Sequence, residues 1–354
     1  MLSVMPVNSG WVCYTLFGKP AWPLNDAHWR VFAVLRMLSP MEYTKPFLSF
    51  EEQADLLTVE RGMVADRDDL IRHLQDVGYY RLSGYWHIFK KPDSDEFWEG
   101  TTFQRVWGLY VFDRQFRLAV LDAVERIEVY MRTQLAYYLA KQTGPFGYLD
   151  SDNLPRLSET RYDHFMDRCR DAYARARTGE PFAKHFHDKY GDKHDLPPYW
   201  MLVNVMDFGM VVTLYKGSPV SVRKQIADDL GVSARVLDSW LVTINTVRNI
   251  CAHHGRLWNR IIGNPPMIPR AVEWHRPYEV ANNKMFGSLT VLSYLLERVA
   301  PSSSWHSRLL DMVLRLTPSD QVRMGFTDNW NECPMWKSHV DAYERNGSEN
   351  SSCP

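Results

Sequence analysis

Between Thr102 and about Lys141 the chain has no proline and one glycine, while Phe103, Val106, Trp107, Tyr110, Val120, Leu121, Val124, Ile127, Met131, Leu135 and Tyr138 recur every three or four positions. That period belongs to an α-helix, so this stretch predicts one long amphipathic helix around which other helices must pack. A second such run follows Ser233, an N-cap residue, with Leu237, Trp240, Leu241, Ile244, Val247, Cys251 and Trp258 as its stripe, ending by the Gly263-Asn-Pro-Pro266 break.

Shorter helices are expected from Ser49 with Glu52 as a capping box, from Asp66 to Gly78, near 156–178, after Pro197-Pro198, and at about 285–299 and 305–316. Tyr79 to Phe89 is aromatic and short in period, which suggests an irregular or hairpin element near 79–100. The fold class is therefore predominantly all-α. No GxGxxG or GxxxxGK[ST] loop follows a strand-like run, which disfavours nucleotide-binding α/β folds.

Domains are expected as an N-terminal extension over 1–40, a helical and aromatic segment over 41–101, a helical core over 102–270, a C-terminal helical segment over 271–345 packed on it, and a disordered tail over 346–354. No apolar run approaches the roughly 18 residues of a membrane span. The five cysteines are scattered without a CxxC pair, so neither a disulfide framework nor a zinc knuckle is indicated, and a cytoplasmic location is the simplest expectation. The histidines have no HExxH spacing, and no metal or cofactor is implied.

The chain carries 41 Lys and Arg against 42 Asp and Glu, a net charge of −1, so it is no polycation. Between Ser239 and Val272, however, stand four arginines and no acid. There lies Arg248-Asn249-Ile-Cys-Ala-His253-His254-Gly-Arg256-Leu-Trp-Asn-Arg260. At about 100° per residue, Asn249, His253, Arg256 and Arg260 line one face of this helix.

These residue types suit RNA cleavage. A neutral imidazole can accept the ribose 2′-hydroxyl proton, and a guanidinium can hold charge on the phosphoryl oxygens. Asn249 can orient either group. Five helical residues separate Arg248 from His253 by about 140°, so the helix must distort near Gly255 or a second copy must complete the site. A two-fold homodimer is the expected solution.

Alternatives accompany each residue. Arg248 falls on the apolar side and needs a partner: Glu128, with Glu125 and Arg132 nearby, can supply it across the helix interface, or Glu128 can pair with Arg132 four residues on. His254 reads as a core histidine or a contributor to RNA binding, and Arg256 and Arg260 as solvated charges or phosphate contacts. Tyr79, Tyr80, Tyr85 and Trp86 read as packing groups or as stacking platforms for unpaired bases. Asp113 with Arg117 reads as a structural pair.

The run Arg248-Asn249-x-x-Ala252-His253-His254-Gly-Arg256-x-Trp258-Asn259-Arg260 resembles the bacterial Abi-like (abortive infection) family, within the HEPN superfamily of helical ribonucleases. Further matching blocks are Lys45-Pro-Phe-Leu-Ser49, Gln53 with Arg61-Gly62, Tyr79-Tyr-Arg-Leu-Ser-Gly-Tyr85, Tyr110-x-Phe-Asp-Arg114, Glu125-Arg-Ile-Glu128-x-x-x-Arg132, and Pro198-x-Trp200 ahead of Gly209. The resemblance implies a HEPN-like helical bundle over 102–270 and a metal-independent endoribonuclease of phage defence. Arg248, Asn249 and His253 would be catalytic, Arg256, Arg260 and His254 would bind RNA, and Glu125, Glu128 and Arg132 would support them. A structured non-coding RNA partner is also implied. The other class compatible with the same patch is a non-catalytic RNA-binding or toxin-neutralising module.

Overall fold

A computed structural model of the chain describes residues 3–7, 10–14 and 43–351, with side-chain surroundings described for 43–345. The chain divides into two units, 1–53 and 54–354. In the first, strands β1 (Ser3–Val7) and β2 (Gly10–Tyr14) pair antiparallel, Val7 opposite Gly10. Most of the extension expected over 1–40 lies outside the described residues. Ser49 and Glu52 form the expected capping box, each side chain accepting the other's backbone N–H at 3.2 and 2.7 Å.

Helix α1 (Phe50–Asp55), widened into a π turn to Glu60, leads to α2 (Arg67–Val77), α3 (Tyr79–Trp86) and the 41-residue α4 (Phe103–Thr143). After a broken stretch come α5 (Glu159–Gly179), α6 (Pro181–Tyr190), α7 (Tyr199–Val205), α8 (Phe208–Gly217), α9 (Val220–Asp229) and α10 (Ala234–Ala252). The chain closes with α11 (Met285–Val299), α12 (Trp305–Leu314), α13 (Pro318–Met324) and α14 (Pro334–Ser351). The fold is all-α in the sense expected.

Thr102 caps α4 by accepting the N–H of Arg105, and at 1.5 Å per residue the helix spans about 60 Å. It forms the axis of the second unit, packed against α3, α7, α8, α9, α10, α11 and α12. Its stripe Val106, Leu109, Phe116, Val120, Ala123, Val124, Ile127, Met131, Leu135 and Leu139 is buried. Buried indoles tie the layers: Trp305 donates to the Ala119 carbonyl and Trp336 to the Thr290 hydroxyl.

Three expectations change. Tyr79 to Trp86 is helix, because Leu82, Tyr85 and Trp86 recur at helical spacing and are buried, and that burial outweighs the strand preference of tyrosine. Gly78, at φ 87°, makes the turn from α2 into α3, a conformation that strains residues bearing Cβ. The hairpin-like part shrinks to a bridge between Lys90 and Phe97. At the C-terminus, where disorder was expected over 346–354, α14 runs to Ser351, and 352–354 lie outside the described residues. The third change, at the end of α10, shapes the site.

Candidate functional site

Helix α10 begins where Ser233 accepts the N–H of Val236, and it buries Leu237, Trp240, Leu241, Ile244, Val247 and Cys251. It does not continue to Arg260. The His254 and Gly255 N–H groups donate back to the Cys251 and Ile250 carbonyls at 3.1 and 2.8 Å, the paired bonds of a Schellman cap. His254 occupies the left-handed position of that cap, at φ 56°, where glycine is usual. His253 is still near-helical (φ −91°, ψ 17°), so the rotation between it and Arg248 is not relieved by unwinding.

The helix stops because its continuation is captured from outside. Asp113, wholly buried on α4, accepts the Trp258 N–H at 2.6 Å and the Leu257 N–H at 3.1 Å. Its other oxygen accepts from the Tyr85 hydroxyl at 2.6 Å and from the Arg117 guanidinium. Burial pushes the Asp113 carboxyl above the ordinary carboxylate range, and Tyr85, Trp258, Arg117 and Leu257 pull it back. Arg117 reaches on to the Gly255 carbonyl at 3.4 Å, and Arg81 of α3 donates to the His254 carbonyl at 2.7 Å. Leu257 and Trp258 are fully buried beneath this knot.

The expected shared face of Asn249, His253, Arg256 and Arg260 is therefore corrected. Asn249 and His253 remain on the helix end, both exposed, while Arg256 turns back to donate to the Gly84 carbonyl at 2.7 Å. Arg260 lies beyond a second left-handed residue, Asn259, and reaches the Arg256 carbonyl. His254 is exposed, not a core histidine. Arg248 is half-buried, and its nearest acceptor is the Asn249 side-chain oxygen at 3.4 Å.

The cross-helix pair of Glu128 with Arg248 is not formed. Glu128 pairs with Arg132, which also binds the Val203 and Met206 carbonyls at the end of α7, where free carbonyls attract a guanidinium. Glu125 is exposed away from this pair. Arg132, paired with Glu128, ties α4 to the end of α7.

Arg81, Arg248, Arg256 and Arg260 thus find carbonyl or amide oxygens, not carboxylates, and their charge stays available to an anion. Cys251 offers no nucleophile, as burial pushes its thiol up to about 12. Among the described residues no group of three His, Cys, Asp or Glu side chains stands together as a metal site, and no helix is long and apolar enough to cross a membrane.

The residues that sequence reading underused are Asp113, Tyr85 and Arg81. The available signal was a carboxylate in the middle of the apolar stripe of α4, which had to be partnered by more than one neighbour four residues on.

Comparison with known families matches residues 72–259 to the Abi-like protein family. That interval covers more than half of the chain and takes in α3, α4, α10 and the knot around Asp113. No curated protein and no solved structure matches the chain.

Proposed function

The chain belongs to the Abi-like protein family, and from that premise we propose that it is a metal-independent endoribonuclease of a bacterial abortive-infection defence against phage. The observation that carries this reading is the end of α10. Asn249 and His253 are exposed there, Arg248 is half-buried against Asn249, and among the described residues no carboxylate neutralises that guanidinium.

In the proposed reaction His253 Nδ1 or Nε2 takes the proton of a ribose 2′-hydroxyl. The 2′-oxygen attacks the adjacent phosphorus, and the bond to the departing 5′-oxygen breaks as that oxygen takes up a proton. Products are a 2′,3′-cyclic phosphate and a 5′-hydroxyl. Arg248 holds the charge on the non-bridging oxygens, and Asn249 orients the phosphate or the imidazole. The persistent angle of about 140° between Arg248 and His253 favours a site composed by two copies of the chain, as does the superfamily resemblance to HEPN ribonucleases. A structured non-coding RNA would restrain or guide the same cationic patch.

Incubating the purified chain with RNA in EDTA tests the reading. Cleavage is expected to persist, to leave 2′,3′-cyclic phosphate ends, and to vanish when the nucleotide at the cut carries 2′-deoxyribose. RNA bound tightly but left intact, with no copurifying RNA to block the patch, would replace the nuclease with a binding module.

A further inference from the structure

Helix α3 is stitched to the segment after the motif at two points, Arg81 to the His254 carbonyl and Arg256 to the Gly84 carbonyl, each at 2.7 Å. Leu82, Tyr85 and Trp86 face the core. On the other face, Tyr80, Ser83, Gly84 and His87 fall at i, i+3, i+4 and i+7 and so line up along the helix.

Of the aromatic side chains at 79, 80, 85 and 86, three are engaged. Tyr79 accepts from Arg61 and meets Trp86 edge-on, Tyr85 donates to Asp113, and Trp86 is buried. Tyr80 is 92% exposed. One turn further along the same face lies a cavity of about 290 Å³ lined by Ser83, Gly84, Trp86, His87, Lys90 and Arg256. Gly84 has no side chain, so the Arg256 stem lies over it, at 3.6 Å from where a Cβ would stand. Arg256 gives one of its five N–H donors to the Gly84 carbonyl and leaves the rest for a ligand. The carboxylate at the far end, Asp95, is shared by Lys90 and Arg61. An exposed ring followed by cations along one face has the chemistry of a single-strand track, in which bases stack and phosphates are held by charge.

We propose that this face of α3 binds an unpaired segment of the RNA flanking the linkage held at Arg248 and His253. Tyr80 stacks one base, and His87, Lys90 and Arg256 hold the neighbouring phosphates. The inference rests on the ribonuclease reading of the same site and adds the substrate class, single-stranded rather than duplex RNA. Bases in an A-form duplex are stacked on each other and present no face to Tyr80.

The test is fluorescence polarisation with a fluorescein-labelled 12-nucleotide oligouridylate, on the full chain carrying His253→Ala so that the probe stays intact. Tyr80→Ala should weaken binding about tenfold or more, and Tyr80→Phe should stay within about twofold, because stacking needs the ring and not the hydroxyl. Lys90→Gln and Arg256→Gln should each lower the salt slope by about one. A perfect RNA duplex of equal length should bind the Tyr80→Ala chain as it binds the parent.

Unchanged binding in Tyr80→Ala, or an unchanged slope in Lys90→Gln, overturns the track. Lys90 is partly covered but its ion-pair partner Asp95 is exposed, so Lys90→Gln is the milder substitution and decides the matter even if Arg256→Gln unfolds. Cleavage by the unsubstituted chain is read separately. A chain that binds as described but cuts nothing overturns the ribonuclease reading alone, and a chain that cuts but ignores Tyr80→Ala overturns the track alone. Failure to bind any RNA overturns both.

Discussion

Asp113 accepts the backbone N–H of Trp258 at 2.6 Å across 145 positions of sequence, and this bond ties the segment that follows helix α10 to α4. Asp113→Ala leaves Arg117 buried without its counter-ion and two buried N–H groups without an acceptor. Unfolding by urea should show a loss of about 3–5 kcal/mol. A loss under about 1 kcal/mol would mean that the knot is held by the packing of Leu257 and Trp258 alone.

Arg248→Ala and His253→Ala should each lower cleavage by about a hundredfold or more while leaving the melting temperature within a degree or two, since neither side chain is deeply packed. If each site takes its arginine from one copy and its histidine from the other, mixing the two inactive chains creates dimers with one intact site. Random pairing then restores about a quarter of the parent rate. Mixtures that stay inactive after subunit exchange would place the whole site in one copy.

A double-mutant cycle separates the two readings of Glu128. Coupling should be measurable between Glu128 and Arg132, on the order of 0.5 kcal/mol or more, and indistinguishable from zero between Glu128 and Arg248. Coupling to Arg248 would restore the cross-helix pair.

His254 sits at φ 56°, a conformation that costs a residue with Cβ about 1–2 kcal/mol relative to glycine before the greater chain entropy of glycine is subtracted. His254→Gly should therefore raise stability by about 0.5–1 kcal/mol in thermal or urea denaturation. If RNA binding weakens in the same variant, the imidazole is retained at that strained position for its contact with the ligand. A destabilised glycine variant would contradict the cap geometry.

His306, nearly buried, is pushed down to about 4, first by burial and then by the His339 ring stacked on it at 3.6 Å; Glu297 and Ser293 pull it up. In the unfolded chain it titrates near 6.5. Between those values only the unfolded state binds the proton, so stability is full above about pH 6.5, falls by about 3 kcal/mol as pH drops to 4, and loses nothing further to this group below that. His306→Gln should flatten that limb of a stability-versus-pH curve. An unchanged slope would assign it to other groups.

The long helices were legible because α4 and α10 bury apolar residues at a constant period, and their caps at Thr102 and Ser233 are local signals. The motif was legible as residue types at a spacing. What was not legible is the shape after His253, since Gly255 and the arginines are compatible with a continued helix until a carboxylate on α4 and a carbonyl on α3 compete for that segment. Glu128 took Arg132, one of the two partners the sequence offered, but the Val203 and Met206 carbonyls that Arg132 also binds depend on how α7 packs and were not legible. Tyr80 could be separated from Tyr79, Tyr85 and Trp86 only once the helical phase of α3 was known.

The knot also has a consequence for biosynthesis. The carboxylate that shapes the end of the motif leaves the ribosome about a hundred and forty residues before the backbone groups that it binds, and closing so wide a loop comes late and slowly. No nascent fragment that stops short of Trp258 can hold the finished shape, because the backbone N–H groups that Asp113 binds have not yet been made.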